Sequence, residues 1–230
     1  MTSRQMTLDL AGAPRFGVED FMVSASNEAA FAAIERWPDW AAPWLLLTGP
    51  RGAGKSHLAA IWAERAGARI VSAAALDGAD SPALAAGPLT VEDADQIGGA
   101  EAALFHLLNL MRESGAALLL TASCEPSGWG LRTPDLLSRL RLAPTVALEA
   151  PDDGLMRAAL VKLFVDRQLT VDVGVVELLA LHLDRSLDAA RRCVEALDAR
   201  SLAERRRITR AMAREAWGAG AQRDLFDGED

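Results

Sequence analysis

Gly49-Pro50-Arg51-Gly52-Ala53-Gly54-Lys55-Ser56 decides how this chain is read, because it meets the spacing G-x-x-x-x-G-K-[ST] at every fixed position. The apolar run Trp44-Leu45-Leu46-Leu47-Thr48 precedes it and His57-Leu58-Ala59-Ala60-Ile61-Trp62 follows it, which supplies the strand before and the helix after that the motif requires. Glycines let the backbone curl until consecutive N–H groups converge on a phosphate. A helix that begins near Gly54 adds the positive end of its dipole. Lys55 is then expected on the β- and γ-phosphates and the Ser56 hydroxyl on Mg²⁺. The implied cofactors are ADP or ATP with Mg²⁺, and residues 49–56 together with His57 are the nucleotide-binding candidates.

Moving toward the N-terminus, residues 16–22 are aromatic and acidic. Ser26-Asn27-Glu28 then caps a helix with apolar positions at Ala30, Phe31, Ile34 and Trp37, stopped by Pro38. This lead-in runs into the loop strand, so Phe21 is expected to wall the base side of the nucleotide. Moving toward the C-terminus, strand candidates are residues 69–71, 89–91, 117–121 and 145–148, with helices between them, including 101–113. Continuous apolar strands separated by helical crossovers predict an α/β fold, a parallel sheet of about five strands covered on both faces. The alanine-rich stretch 73–87 reads as a surface connection. After Pro151 no strand pattern returns, and amphipathic helices are expected at about 152–167, 173–183, 186–203 and 209–217, the first opened by Asp152-Asp153 and the third by Ser186. The organisation is thus an extended segment 1–15, an α/β nucleotide-binding domain 16–150, a small all-helical lid domain 151–217, and an acidic, disordered tail 218–230.

The sequence has 230 residues, half of them apolar, which suffices for a proper core, and a net charge of −8 argues against binding nucleic acid with the whole surface. The average conceals a run at 191–214 with eight arginines against Glu195, Asp198 and Glu204. That run is either a solvated helix face or a patch for phosphate or a partner. Cys124 and Cys193 are far apart without metal spacing, so neither a disulfide framework nor a zinc site is expected. No leader and no span of membrane length is present, which predicts a soluble, cytoplasmic protein.

Residue 92 ends the one apolar strand, Leu89-Thr90-Val91, that runs into two acids. Glu92 is expected to hold Mg²⁺ through water and Asp93 to polarise the attacking water, the alternative being that both cap the following turn. A polar side chain at the end of the next strand, in Thr121-Ala122-Ser123, is placed to reach the γ-phosphate. At the N-terminus, Gln5-Met6-Thr7-Leu8-Asp9-Leu10 alternates Met6, Leu8 and Leu10 on one face of an extended peptide, either to enter a groove on another protein with Gln5 at its rim or as a plain edge strand or tail.

The loop, the acidic strand end and Leu137-Ser138-Arg139-Leu140 ahead of a fifth strand and a helical lid together resemble the AAA+ module of the DnaA replication initiators, which the lead-in 16–27 is also similar to. That family continues into a helix-turn-helix DNA-binding domain, which is not expected here. Such a module preceded by residues 5–10 resembles the Hda-like regulators of the DnaA family, whose Q-L-x-L-x-L motif docks on the DNA polymerase sliding clamp. The resemblance implies that Gln5, Met6, Leu8 and Leu10 bind the clamp. It further implies that Arg139 is an arginine finger completing the ATP site of DnaA, so that the protein activates hydrolysis there and represses re-initiation. An intramolecular salt bridge is the other reading of Arg139, with Arg132 and Arg141 as weaker substitutes. A homo-oligomer and weak direct contact with DNA are left open, and a DnaC-like helicase loader or self-contained DNA-associated ATPase is the alternative.

Three positions depart from the family pattern: Glu92 where an Asp stands, Ser123 at the polar position after strand four, and Asp188 where the lid carries a phosphate-sensing Arg. A carboxylate at 188 implies a preference for ADP, unless Arg185 or Arg191 takes its place. Gln222-Arg223-Asp224-Leu225-Phe226 fits a looser form of the clamp motif near the C-terminus.

Overall fold

The computed structural model describes residues 17–216, so the peptide 5–10, with Gln5, Met6, Leu8 and Leu10, and the second motif at 222–226 lie outside the described residues. Five strands form one sheet: β1 (Trp44–Thr48), β2 (Arg69–Ser72), β3 (Leu89–Glu92), β4 (Leu118–Ala122) and β5 (Thr145–Ala147). Their order is β2-β3-β4-β1-β5 and every pairing is parallel, with Leu46 of β1 opposite Leu120 of β4 and Thr145 of β5. The sheet is the parallel, five-stranded one expected from the continuous apolar strands.

Alternation along the strands feeds two apolar layers. Leu46, Leu89, Val91, Leu118 and Leu120 point to one side, where α4 (Glu101–Ser114) and α5 (Pro134–Arg141) pack, and Leu45, Leu47 and Leu119 point to the side of α1 (Glu28–Glu35) and α2 (Lys55–Ala66). Helix α4 meets the sheet with Leu104, Leu107, Leu108 and Met111, the i, i+3, i+4, i+7 stripe of an amphipathic helix. On the opposite side Trp62 of α2 is fully buried and stacks on Trp40 with centroids 5.2 Å apart.

Two local expectations are corrected. The alanine-rich stretch 73–87 is not a plain surface connection. It forms a 3-10 turn, Ala73–Leu76, and the short helix α3 (Ser81–Leu84), and it buries Ala73, Leu76 and Ala85 in the layer that contains α4. Small side chains allow such a segment to approach α4 closely, so low complexity here reflects packing. Asn27 stands at the N-cap of α1, but its side chain does not cap the helix. Its Oδ1 accepts the Ser24 N–H at 2.8 Å and its Nδ2 donates to the Met22 carbonyl at 2.9 Å, which fixes the lead-in instead.

Helices α6 (Asp153–Asp166), α7 (Val173–His182), α8 (Leu187–Glu204) and a last helical stretch 210–216 follow the sheet and share a core of their own around Met156, Leu160, Phe164, Leu179, Val194, Leu197 and Met212. The predicted caps are in place. Asp152 accepts the Leu155 N–H at 2.8 Å and Ser186 the Ala189 N–H at 3.3 Å. Much of the arginine run 191–214 is tied up within these helices, since Arg200 pairs with Glu204 and Glu215, Arg206 with Glu204, and Arg210 donates to the Gly174 carbonyl. Cys124 and Cys193 are both free, and burial pushes the Cys193 thiol up to about 11. Among the described residues no helix is long and apolar enough to cross a membrane.

Candidate nucleotide site

The loop 49–54 leaves β1 at its C-terminal end and turns into α2, whose N-cap is Gly54 at φ 106°. Two glycines are required by contact as well as by conformation. A Cβ on Gly49 (φ 151°) would lie 2.4 Å from the Leu148 carbonyl oxygen, and one on Gly52 (φ 72°) would lie 2.0 Å from Ser186 Oγ. The backbone can therefore close around a phosphate only because these positions carry no side chain. Ala53 is buried beneath the loop, while Arg51 and Ser56 are exposed at its rim.

Lys55 is 7% exposed and its Nζ donates to the Gly49 carbonyl at 2.6 Å and the Pro50 carbonyl at 3.0 Å. Burial lowers its pKa, Asp93, Asp95 and Asp188 pull it back up, and Arg51 adds to the lowering. Three carboxylates therefore bear on one ammonium from the turn after β3 and from the lid. His57 Nε2 lies 3.1 Å from the Gly17 carbonyl, and burial lowers the His57 pKa. The Phe21 ring meets His57 edge-on at 5.1 Å and stacks on Phe31 at 5.4 Å, and it would come within 3.7 Å of a Cβ at Gly54. Phe21 and His57 thus pack together beside the loop.

The lid also meets the loop. The Leu187 N–H at the start of α8 donates to the Gly52 carbonyl at 2.9 Å, and the Asp188 amide would lie 3.3 Å from a Cβ on Gly52. Asp188 pairs with Arg191 at 3.5 Å, Arg185 turns away to Asp153, and Lys162 of α6 binds Asp20 of the lead-in at 2.9 Å. Of the three candidates at the lid position, Asp188 is the one whose charge acts on Lys55, while that of Arg191 acts on His57.

Glu92 ends β3 on the same face as Thr90 by the alternation of the strand, the face opposite Val91 and hence the side of α2. One of its oxygens, Oε1, is buried without a hydrogen-bond partner among the described residues. Such an orphan costs about 1–3 kcal/mol, more when charged, so it marks a place where a ligand or water completes the bonding. With the glycine cradle and Lys55 alongside, the residues present fit a nucleotide and its Mg²⁺. Among the described residues no cluster of three ligating side chains could hold a metal without the phosphates.

Asp93 adopts a left-handed backbone (φ 52°), donates its N–H to Thr121 Oγ1 at 3.1 Å and leaves its side chain exposed. Asp95, which sequence reasoning passed over, folds back through the 3-10 turn Ala94–Gln96. Its Oδ2 accepts the Ser123 hydroxyl, and its Oδ1 is buried without a partner among the described residues. The third acid in Glu92-Asp93-Ala94-Asp95 was the available signal.

Arg139 lies on the far side of the sheet from α2. Its Nη1 donates to Asn109 Oδ1 and its guanidinium sits 4.4 Å from the centroid of Phe105, both on α4. No carboxylate among the described residues pairs with it. Arg132 and Arg141 are exposed.

No protein-family model matches the sequence, and no curated protein matches it. The fold does have solved counterparts. Domain III of the replication initiation protein DnaA from Thermotoga maritima superposes with a TM-score of 0.77 at 20% identity, over 89% of this chain and 96% of that one. AMPPCP-bound DnaA from Aquifex aeolicus gives 0.70 at 16% identity, over 83% and 67%. The Holliday junction branch migration motor RuvB of Thermotoga maritima gives 0.63 at 18%, over 84% and 66%. At these identities the likeness is one of fold, and it places this chain's architecture among AAA+ P-loop modules of the DnaA and RuvB kind.

Proposed function

We propose that the chain is a nucleotide-binding regulator with a nucleotide-binding domain at 16–150 and a lid at 151–217. In this reading residues 5–10 hold it on the DNA polymerase sliding clamp, and it stimulates hydrolysis of the ATP bound to DnaA. The observation that carries this is the cradle 49–56 closed by the start of α8 through the Leu187–Gly52 hydrogen bond, in an architecture like that of DnaA domain III. A bound nucleotide with Mg²⁺ would supply the phosphates that give the site its purpose. Within the chain, Lys55 meets their charge, Ser56 and Glu92 serve the metal, Phe21 and His57 flank the base, and Asp188 reads the outermost phosphate.

Asp188 brings negative charge to the end of the cradle, partly offset by Arg191 at 3.5 Å. A half-exposed pair of this kind is worth at most about 1 kcal/mol, so ADP is expected to bind about two- to fivefold more tightly than ATP. Asp188→Asn should equalise the two in parallel titrations. Tighter binding of ATP by the unaltered protein would assign the position to Arg191.

The docking step is checked with clamp fixed to a surface. Gln5→Ala combined with Leu8→Ala should lose capture, while a chain ending at Trp217 should be retained about as well as the full chain. The reverse pattern would move docking to 222–226. The regulatory step is checked by adding the protein, with clamp loaded on DNA, to ATP-bound DnaA and measuring phosphate release. The likeness to the RuvB motor favours a second reading, a self-contained ATPase. Steady turnover of ATP by this protein without DnaA, and no effect on DnaA, would select it.

A further inference from the structure

Two buried carboxylate oxygens without partners among the described residues, Glu92 Oε1 and Asp95 Oδ1, come from the last residue of β3 and from the turn that follows it. Buried acceptors are nearly always satisfied, by protein or by ordered water or ions. Two exceptions three residues apart, beside an independently recognisable phosphate cradle, point to a shared ligand. Its chemistry follows from the donors. Carboxylate oxygens suit a hard cation, and Mg²⁺ is held in nucleotide sites by one or two carboxylates together with phosphates, while keeping several of its waters.

The turn fixes the Asp95 side chain and leaves that of Asp93 exposed. At Asp93 the backbone enters the left-handed region and its N–H is taken by Thr121 Oγ1, which directs the chain back toward β4 and leaves the Asp93 carboxylate in solvent. The 3-10 turn Ala94–Gln96 then brings Asp95 against the end of β4, where the Ser123 hydroxyl donates to Oδ2. That bond fixes the carboxylate plane and leaves the buried Oδ1 as its free acceptor. Both Asp93 and Asp95 act electrostatically on Lys55, which places the turn within reach of the phosphate cradle.

We infer that Asp95, oriented by Ser123, is a positioning residue that works with Glu92 to hold the water shell of a divalent cation carried on the phosphates of the nucleotide. This rests on the reading of residues 49–56 as a nucleotide site and adds Asp95 to Glu92, the residue to which the sequence gives the metal role, whereas the sequence gives Asp93 the separate role of polarising the attacking water. Ser123 then acts through Asp95 and does not itself touch phosphate.

The experiment compares the affinity of a fluorescent ADP with Mg²⁺ and with chelator, and takes the ratio. Asp95→Asn should leave the metal-free affinity within about twofold and reduce the enhancement by Mg²⁺ roughly tenfold, the scale typical of groups in the outer shell of a metal site. Ser123→Ala should move the ratio the same way and Ser123→Thr, which keeps the hydroxyl, should restore it. Asp93→Asn, whose carboxylate is exposed and not held by Ser123, should change the ratio much less than Asp95→Asn. A full Mg²⁺ enhancement in Asp95→Asn overturns the inference, as does its loss in Asp93→Asn alone. Should Asp95→Asn fail to fold, the Ser123 pair decides by the same ratio. Binding of ADP by the unaltered protein with no response to Mg²⁺ overturns the cation role while the nucleotide site stands. No binding of ADP under either condition overturns the nucleotide site itself.

Discussion

Lys55→Ala is expected to weaken ADP binding by a factor on the order of 10²–10³. The ammonium is buried at the mouth of the loop, and its present acceptors, the Gly49 and Pro50 carbonyls, are main-chain groups that a phosphate would outcompete. A charge-assisted hydrogen bond contributes about 1.5–3 kcal/mol, so two such contacts to phosphate oxygens are worth about 3–6 kcal/mol, and the expected loss is the lower part of that range because the present carbonyl bonds of Lys55 are given up on binding. Arg51 does not substitute, because it is exposed at the rim and lies outside the turn of α2. The variant should remain folded. It removes a cation whose burial is already unfavourable, as the lowered pKa of Lys55 indicates, and the glycine contacts with Leu148 and Ser186 do not involve the side chain. Equilibrium titration with fluorescent ADP checks the affinity and thermal melting without nucleotide checks the fold. Undiminished affinity in a folded variant would remove the basis of the nucleotide site.

Arg139→Ala is expected to lower the stimulation of ATP hydrolysis on DnaA by roughly 10³, the lower end of what an arginine supplied in trans contributes, while changing this protein's own ADP affinity less than twofold. The second half follows from position. Arg139 sits on α5 and contacts α4, on the face of the sheet opposite α2, and it makes no contact with the loop. The first half gains support from what Arg139 lacks. Its partners are a neutral amide and an aromatic ring, so the guanidinium is oriented without being neutralised. An intramolecular salt bridge, the bland alternative from sequence, is absent among the described residues. Asn109→Ala should therefore reduce stimulation by much less than Arg139→Ala, because it loosens the side chain and keeps its charge. Equal losses in both variants, accompanied by a fall in melting temperature, would make Arg139 a structural link between α4 and α5.

The sheet was legible in the sequence because parallel strands covered on both faces must be apolar throughout. Runs such as Leu45-Leu46-Leu47 and Leu118-Leu119-Leu120, punctuated by glycine and proline, leave little else to be. The loop 49–56 was legible for a sharper reason: close approach of backbone to backbone, 2.4 Å from a Cβ on Gly49 to the Leu148 oxygen, forbids side chains at fixed positions and so writes itself as glycines. The helices after Pro151 announced themselves through caps at Asp152 and Ser186 that form as predicted. Local chemistry misled where a side chain had a better partner farther away. Asn27 gave up its helix cap to hold Ser24 and Met22, and the alanines after β2 went into the core because their small size lets a turn lie against α4. Three things were decided by tertiary structure alone. The start of α8 meets the loop through the Leu187–Gly52 bond, which brings the charge of Asp188 to bear on Lys55 and that of Arg191 on His57 while Arg185 pairs with Asp153. Asp95 joins the site because a left-handed turn at Asp93 folds it back onto Ser123. Arg139 is held by Asn109 and Phe105 because two helices distant in sequence pack side by side on the same face of the sheet. Spacing along a chain reports contacts within a turn or a strand; which of several like-charged residues reaches a site depends on how far the backbone has rotated when two separate elements meet, and no local pattern records that.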